Sequence, residues 1–271
     1  LEKLHLDLDL YDSIRYADLR LDDITLTGLK IGVIRDSAGN IALQGLNQQS
    51  DSTPLFAELI VRSNALNSIH LKSITIDFTD QQKTFLTGRY HVDNAVIQHQ
   101  LNKWQSNGDI KLPASLGERV QFTANWLLNE QQPELTTWQW TVDVNDLQLS
   151  PLQNDLVYQN VVIKQGRVDA ALKGKGIGER LNRVQLALDL RNGQLANEQN
   201  KDHLPPVIIE QLLGQFDWQQ HQQSWSLAVN ELQIDINDTV WPKSSLTLTQ
   251  EGEKVVGKGD FIRIEDVLEI A

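Results

Sequence analysis

The 271-residue chain carries a formal charge of −12 and only 40% hydrophobic residues. Nucleic acid and anionic headgroups reward Lys and Arg, so an acidic chain excludes general electrostatic binding to either. Cysteine is absent, which removes disulfides and thiolate chemistry, and Met is absent too. The chain opens on LEKLH without an initiator Met, signal peptide or membrane-length apolar run, and closes inside patterned sequence. The expectation is therefore a segment of a longer protein, or a sequence whose Met positions are left out, and an N-terminal membrane anchor would not be visible here.

The first element is LHLDLDL, where Leu4, Leu6, Leu8 and Leu10 alternate with polar residues. In a strand, alternate side chains share one face, so this run has a leucine edge and a polar edge. Leu19 and Leu21 continue the pattern, as do Ile74 and Ile76 in SITIDF. Between them, TPLFAELIVRSNAL is the one helical pattern, near 54–64, with Thr53 as N-cap and Pro54 in the first turn. The polar stretch near 48–53 divides the chain into residues 1–52 and 53–271, and a further break near 197–206 is marked by NEQNKDHLPP.

Further on, VQFTANWLL aligns Val120, Phe122, Ala124 and Trp126, and TWQWTVDV aligns Trp138, Trp140, Val142 and Val144. VQLALDL aligns Val184, Leu186 and Leu188, and SWSLAVNELQIDI closes the series. Turn signals at 36–40, 106–109, 129–134, 164–167, 191–193 and 218–225 divide these runs into a meander of a dozen or more strands. Three combs are interrupted by paired polar residues, Asp22-Asp23, Asn145-Asp146 and Asn230-Glu231. Each pair is either a tight hairpin turn or a bulge that restores the facing and adds twist.

No motif carries catalysis. There is no nucleophile elbow, P-loop or HExxH, and the Gly-rich KGKGIGER at 173–180 reads as a flexible connection. The six histidines have no ligand spacing, and DVND and DIND read as turn chemistry rather than calcium loops. A carbohydrate-active enzyme would need paired carboxylates in a cleft; Asp217 beside Trp218 is the nearest approach. The expectation is a non-enzyme without cofactor or metal.

The uniform apolar faces need a cover: a second sheet, a closed barrel, or a hydrocarbon guest in an open trough. Periodicity leaves these open. The opening LHLDLDLYDSIRYADLRLDDITLTGLKIGVIRDSAGNIALQGL, with Arg35, Asp36, Gly39 and Asn40 at its turn and Gly45-Leu46 at its end, resembles AsmA-like bacterial envelope proteins. The series Gly214, Phe216, Trp218, Trp225, Leu232, Ile234, Trp241 and Pro242 resembles the YhdP branch of that group. The resemblance implies an all-β, elongated, strongly twisted antiparallel meander curled into an open hydrophobic groove.

It also implies a periplasmic segment of a protein anchored in the inner membrane, conducting phospholipid toward the outer membrane with its acyl chains shielded. The residues expected on the lining are Leu4, Leu6, Leu8, Leu19, Leu21, Ile74, Ile76, Val120, Phe122, Trp138, Trp140, Val142, Leu186 and Leu188. The alternative is a β-sandwich scaffolding module with a dry core and no lipid cargo.

Overall fold

A computed structural model describes residues 2–8, 11, 15, 21–44, 67–129, 131–153, 155, 157–158, 161–197, 206–222, 224–237, 239–252 and 254–261. The expected helix near 54–64, the boundary near 48–53 and Leu19 lie outside these residues, as does most of 197–206. The protein is all-β, with 73% of the described residues in strand. It divides into two compact units, residues 1–113 with 121–136, and residues 114–120 with 137–271.

The first unit contains β1 (Lys3–Leu8), β2 (Leu21–Thr27), β3 (Lys30–Arg35), β4 (Ile41–Leu43), β5 (Ser68–Asp80), β6 (Gly88–Gln100) and β7 (Lys103–Lys111). It also takes most of β8 (Arg119–Leu127). β5, β6 and β7 form an antiparallel meander. β2 and β3 lie end to end along β5 and run parallel to it, while β1 and β4 pair antiparallel with them. Gly28 joins β2 to β3 with φ +67° and Ser73 stands at φ +54° in β5, a backbone region that costs an ordinary residue on the order of 1 kcal/mol. The turn at 36–40 forms as expected: the Asp36 carboxylate accepts the Ala38 and Asn40 amides at 2.9 and 2.8 Å.

The second unit contains β9 (Thr137–Gln148), β10 (Val157–Tyr158), β11 (Val161–Ile177), β12 (Arg180–Asn197), β13 (Val207–Gln220), β14 (Trp225–Ile236), β15 (Thr239–Val240), β16 (Ser244–Glu251) and β17 (Lys254–Gly259). The order is β9 and β10 on one edge of β11, then β12, β13, β14, with β15 and β16 beyond it and β17 outermost. Every pairing is antiparallel, and among the described residues none joins β17 back to β9 or β10, so this sheet is open.

All three interrupted combs are bulges, not hairpins. Asp7 and Leu8 face Asp23 and Leu21, which leaves Asp22 as the extra residue. Val168 and Ala170 face Leu147 and Val144, with Asp146 at φ +52°; Leu213 and Gln215 face Gln233 and Asn230, with Glu231 at φ +52°. Each extra residue returns the following apolar positions to the face of the preceding ones. Three expected turns are corrected. SNGD at 106–109 lies inside β7, KQGR at 164–167 inside β11, and RNG at 191–193 inside β12, where Asn192 at φ +52° is a further bulge. KGKGIGER is not a flexible connection either: it is the end of β11, a tight turn at Gly178-Glu179 and the start of β12.

Candidate functional site

The registers of the second unit assemble apolar rows that cross many strands. One row runs Trp140, Gly174, Val184, Trp218, Leu227, Leu248. The next runs Val142, Leu172, Leu186, Phe216, Val229, Leu246. Of these twelve residues Val229, at 4%, and Gly174, beneath Trp140, are buried; the other ten are half-buried. A face sealed by the protein's own side chains would be buried row after row. At one end of the strands the situation differs: Leu149, Val168, Leu190, Val207, Ile209, Ile236 and Trp241 form a buried cluster. The face is thus packed at one end and open along the rest.

Two indoles shape the open part. An ideal Cβ on Gly174 would lie 2.4 Å from Cε2 and Cζ2 of Trp140, and one on Gly176 would lie 2.2 Å from Cζ2 of Trp138. The two tryptophans therefore lie flat over bare backbone of the neighbouring strand. Trp138 Nε1 donates to the Gly178 carbonyl at 2.8 Å, which satisfies the indole polar group and leaves the ring as apolar surface. Sequence reasoning read these glycines as a connection. The available signal was the matched spacing, Trp-x-Trp on one strand and Gly-x-Gly on another.

The first unit repeats the arrangement. Leu6, Ile24, Ile69 and Ile97 form one row, and Leu4, Leu26, Leu71 and Ala95 the next. Phe122 lies over Gly108, where an added Cβ would approach Cε1 to 2.5 Å. Ile76 pairs with Ile31 and Tyr90, and Tyr90 meets Phe78 edge-on at 6.3 Å.

The expected lining residues fall as follows. Leu4 and Leu6 are exposed, at 50% and 45%. Ile76, Phe122, Val120, Trp138, Trp140, Val142, Leu186 and Leu188 are half-buried. Ile74 is buried at 2%, beside Val92 at 5%, and so packs within the protein. Leu8 is placed by register opposite Leu21. Trp138, Trp140, Val142, Leu186 and Leu188 share one continuous face, and Leu4 and Leu6 share another.

The opposite faces are polar and held by cross-strand ion pairs. Arg183 Nε donates to Asp217 at 2.8 Å, and Arg89 Nε to Asp77 at 2.7 Å. Arg191 bonds Asp169 on that side as well, whereas Arg35 bonds the buried Asp80 at the end of β5, in line with Ile76 and Phe78. The Arg183 hydrogen bond holds the Asp217 carboxyl below the usual carboxylate range, so it stays ionised at neutral pH and cannot serve as a general acid. Asp217 also points away from Trp218 along the alternation of β13. A depression of about 440 Å³ near the bulges is lined by Asp143, Asp169, Asp189, Glu231 and Lys243 together with Ala171, Ala187 and Gly214. Among the described residues no three His, Asp or Glu side chains converge as a metal site, and no helix is long and apolar enough to cross a membrane.

Comparison with curated proteins and with solved structures finds no significant match. A family model does match, that of the YhdP protein, over residues 1–271. The match covers both units and every row described above, and on that ground the chain belongs to the YhdP family.

Proposed function

We propose that the apolar faces of this chain hold the acyl chains of phospholipids, and that it is a segment of a bridge-type lipid transfer protein acting in the bacterial periplasm. The observation that carries the reading is the row Val142, Leu172, Leu186, Phe216, Val229 and Leu246, half-buried except at Val229, in register across six strands of an open sheet. Keeping a methylene from water is worth about 0.8 kcal/mol, so an acyl chain leaves a bilayer only onto a continuous apolar path. Rows that run from strand to strand supply such a path without a charged pocket or a reacting group. Trp138 and Trp140 lying over glycine remove the projections that would interrupt it. YhdP membership agrees with this role, and the inner-membrane anchor and outer-membrane destination are what the AsmA-like resemblance implies.

The test is to purify the chain, extract it with organic solvent and identify phospholipid by mass spectrometry. Leu186→Asp should cut the recovered lipid several-fold, whereas Gln185→Asp on the opposite face should not. Protein that yields no phospholipid, and that when delipidated ignores a fluorescent fatty-acyl probe, would refute the reading.

A further inference from the structure

The hairpin joining β6 to β7 in the first unit ends in an apolar tip. Leu101 occupies the turn at φ +56° and is 87% exposed. The tip is fastened to the end of β8: the Leu128 amide donates to the Asn102 carbonyl at 2.8 Å, and Asn102 Nδ2 reaches the Leu128 carbonyl at 3.4 Å. This aligns Asn102 with Leu128, so the end of β8 beside the hairpin carries Leu127 and Trp126, 49% and 36% exposed, and β6 carries Ile97 at 39%. Trp104 stacks on His99 across the hairpin, ring centroids 4.3 Å apart and planes at 23°.

The charge around this tip departs from the rest of the chain. The protein has 36 Asp and Glu residues, yet residues 94–108 and 121–129 contain none, while Lys103 lies at the tip. Both segments that meet at this tip are free of carboxylates between Asp93 and Asp109 and between Glu118 and Glu130.

We infer that this tip seats in the headgroup region of a phospholipid bilayer that carries anionic lipid. Indoles favour that layer because each joins an apolar body to one N–H, and a lysine stem lies along apolar surface while its ammonium stays in water. Leu101 supplies the part that enters the acyl boundary, and the missing carboxylates remove the repulsion that the chain's net charge would otherwise impose. A second protein is the poorer fit. A stable protein interface takes about 800 Å² from each partner, whereas a hairpin tip with a few neighbours offers on the order of a few hundred. The inference goes beyond the groove reading and does not depend on it, since a tip can dock whether or not the faces hold lipid.

Vesicle flotation of the purified 271-residue chain tests it, with phosphatidylcholine vesicles and with phosphatidylcholine–phosphatidylglycerol vesicles. The wild-type chain should float with the anionic vesicles and less with the neutral ones. Leu101→Asp should lower the bound fraction about tenfold, the factor expected for withdrawing one leucine from an apolar layer. Ile41→Asp, at another exposed apolar residue of the same unit, 67% exposed, should leave it unchanged. Lys103→Glu should lower it on anionic vesicles alone. Circular dichroism checks that each variant is folded, and fluorescent acyl-probe uptake reads the groove separately and should survive Leu101→Asp. A wild-type chain that does not float, or a Leu101→Asp chain that floats as well as wild type, overturns the inference. So does sedimentation showing a dimer that Leu101→Asp abolishes while flotation persists, which would assign the tip to a second copy.

Discussion

Replacing Gly174 with alanine adds one methyl group at the position where Trp140 lies on the sheet. The added Cβ would sit 2.4 Å from two ring carbons and 2.7 Å from Nε1, against about 3.5 Å for carbon atoms at rest, so the indole must retreat by about 1 Å. Gly174 lacks a left-handed φ, and alanine is therefore allowed by its backbone. In an ordinary strand position the change would stabilise by about 0.5–1 kcal/mol through the unfolded chain. Overpacking costs about 1–3 kcal/mol, which leaves a net loss of up to about 2.5 kcal/mol and a Tm lower by up to about 10 °C. The decisive assay is a thermal double-mutant cycle with Trp140→Ala. Without the indole, Gly174→Ala should change sign and raise Tm. A rise in the wild-type background, or a zero coupling, would refute the claim that the glycine exists to seat the ring.

Other outcomes follow from the same geometry. Trp138→Phe should keep the apolar ring but lose the bond to the Gly178 carbonyl, at a cost of about 0.5–1.5 kcal/mol by urea unfolding, with no change in m. Burial pushes the Asp80 carboxyl up, but the Arg35 hydrogen bond and the Lys83 and Gln82 amides outweigh it and hold the group below its ordinary value. The unfolded chain then binds the proton first as pH falls, so this contribution is complete above the ordinary carboxylate pKa of about 4 and is lost as pH drops through the depressed folded value. Urea midpoints measured across that acid range should fall less steeply in Asp80→Asn than in wild type, and the same holds for Asp217→Asn, whose carboxyl Arg183 holds down.

Much of the fold is legible in the alternation itself. The combs at Leu4 to Leu8, Trp138 to Val144 and Val184 to Leu190 are strands whose like positions share a face, because period-two patterning has one structural solution. The lengths were not legible. β11 and β12 run 17 and 18 residues, well past the usual strand, and the Asn-Gly and Gln-Gly pairs inside them suggested turns. The confusion has a physical source: Asn and Gly accept positive φ cheaply, and both a hairpin turn and a bulge need it. Asn192 serves a bulge, while Gly108, Gly174 and Gly176 serve the close approach of Phe122, Trp140 and Trp138. Which of these a glycine serves depends on the neighbouring strand, and a single strand's sequence does not contain that information. The parallel pairing of β2 and β3 with β5 was hidden for the same reason.

The bulges carry the apolar face past the usual strand length, and deleting one should show it. Glu231 is the extra residue between Val229 and Leu232, which face Leu246 and Ser244 of β16. Without it, regular pleating would turn everything on one side of the deletion through to the opposite face. Leu232, Ile234 and the buried Ile236 would leave the apolar side, or Leu227 and the buried Val229 would. Exposing one buried and two half-buried side chains costs about 3–6 kcal/mol, and one of each about 2–5 kcal/mol, a large part of the 5–15 kcal/mol that a folded domain has in total. Deletion of Glu231 should therefore leave β13 to β17 open to limited proteolysis, whereas Glu231→Gly, which keeps the extra residue and tolerates φ +52°, should remain resistant. A deletion variant as resistant as wild type would mean that the sheet absorbs the lost residue elsewhere, and the bulge would then be incidental to the facing of the rows.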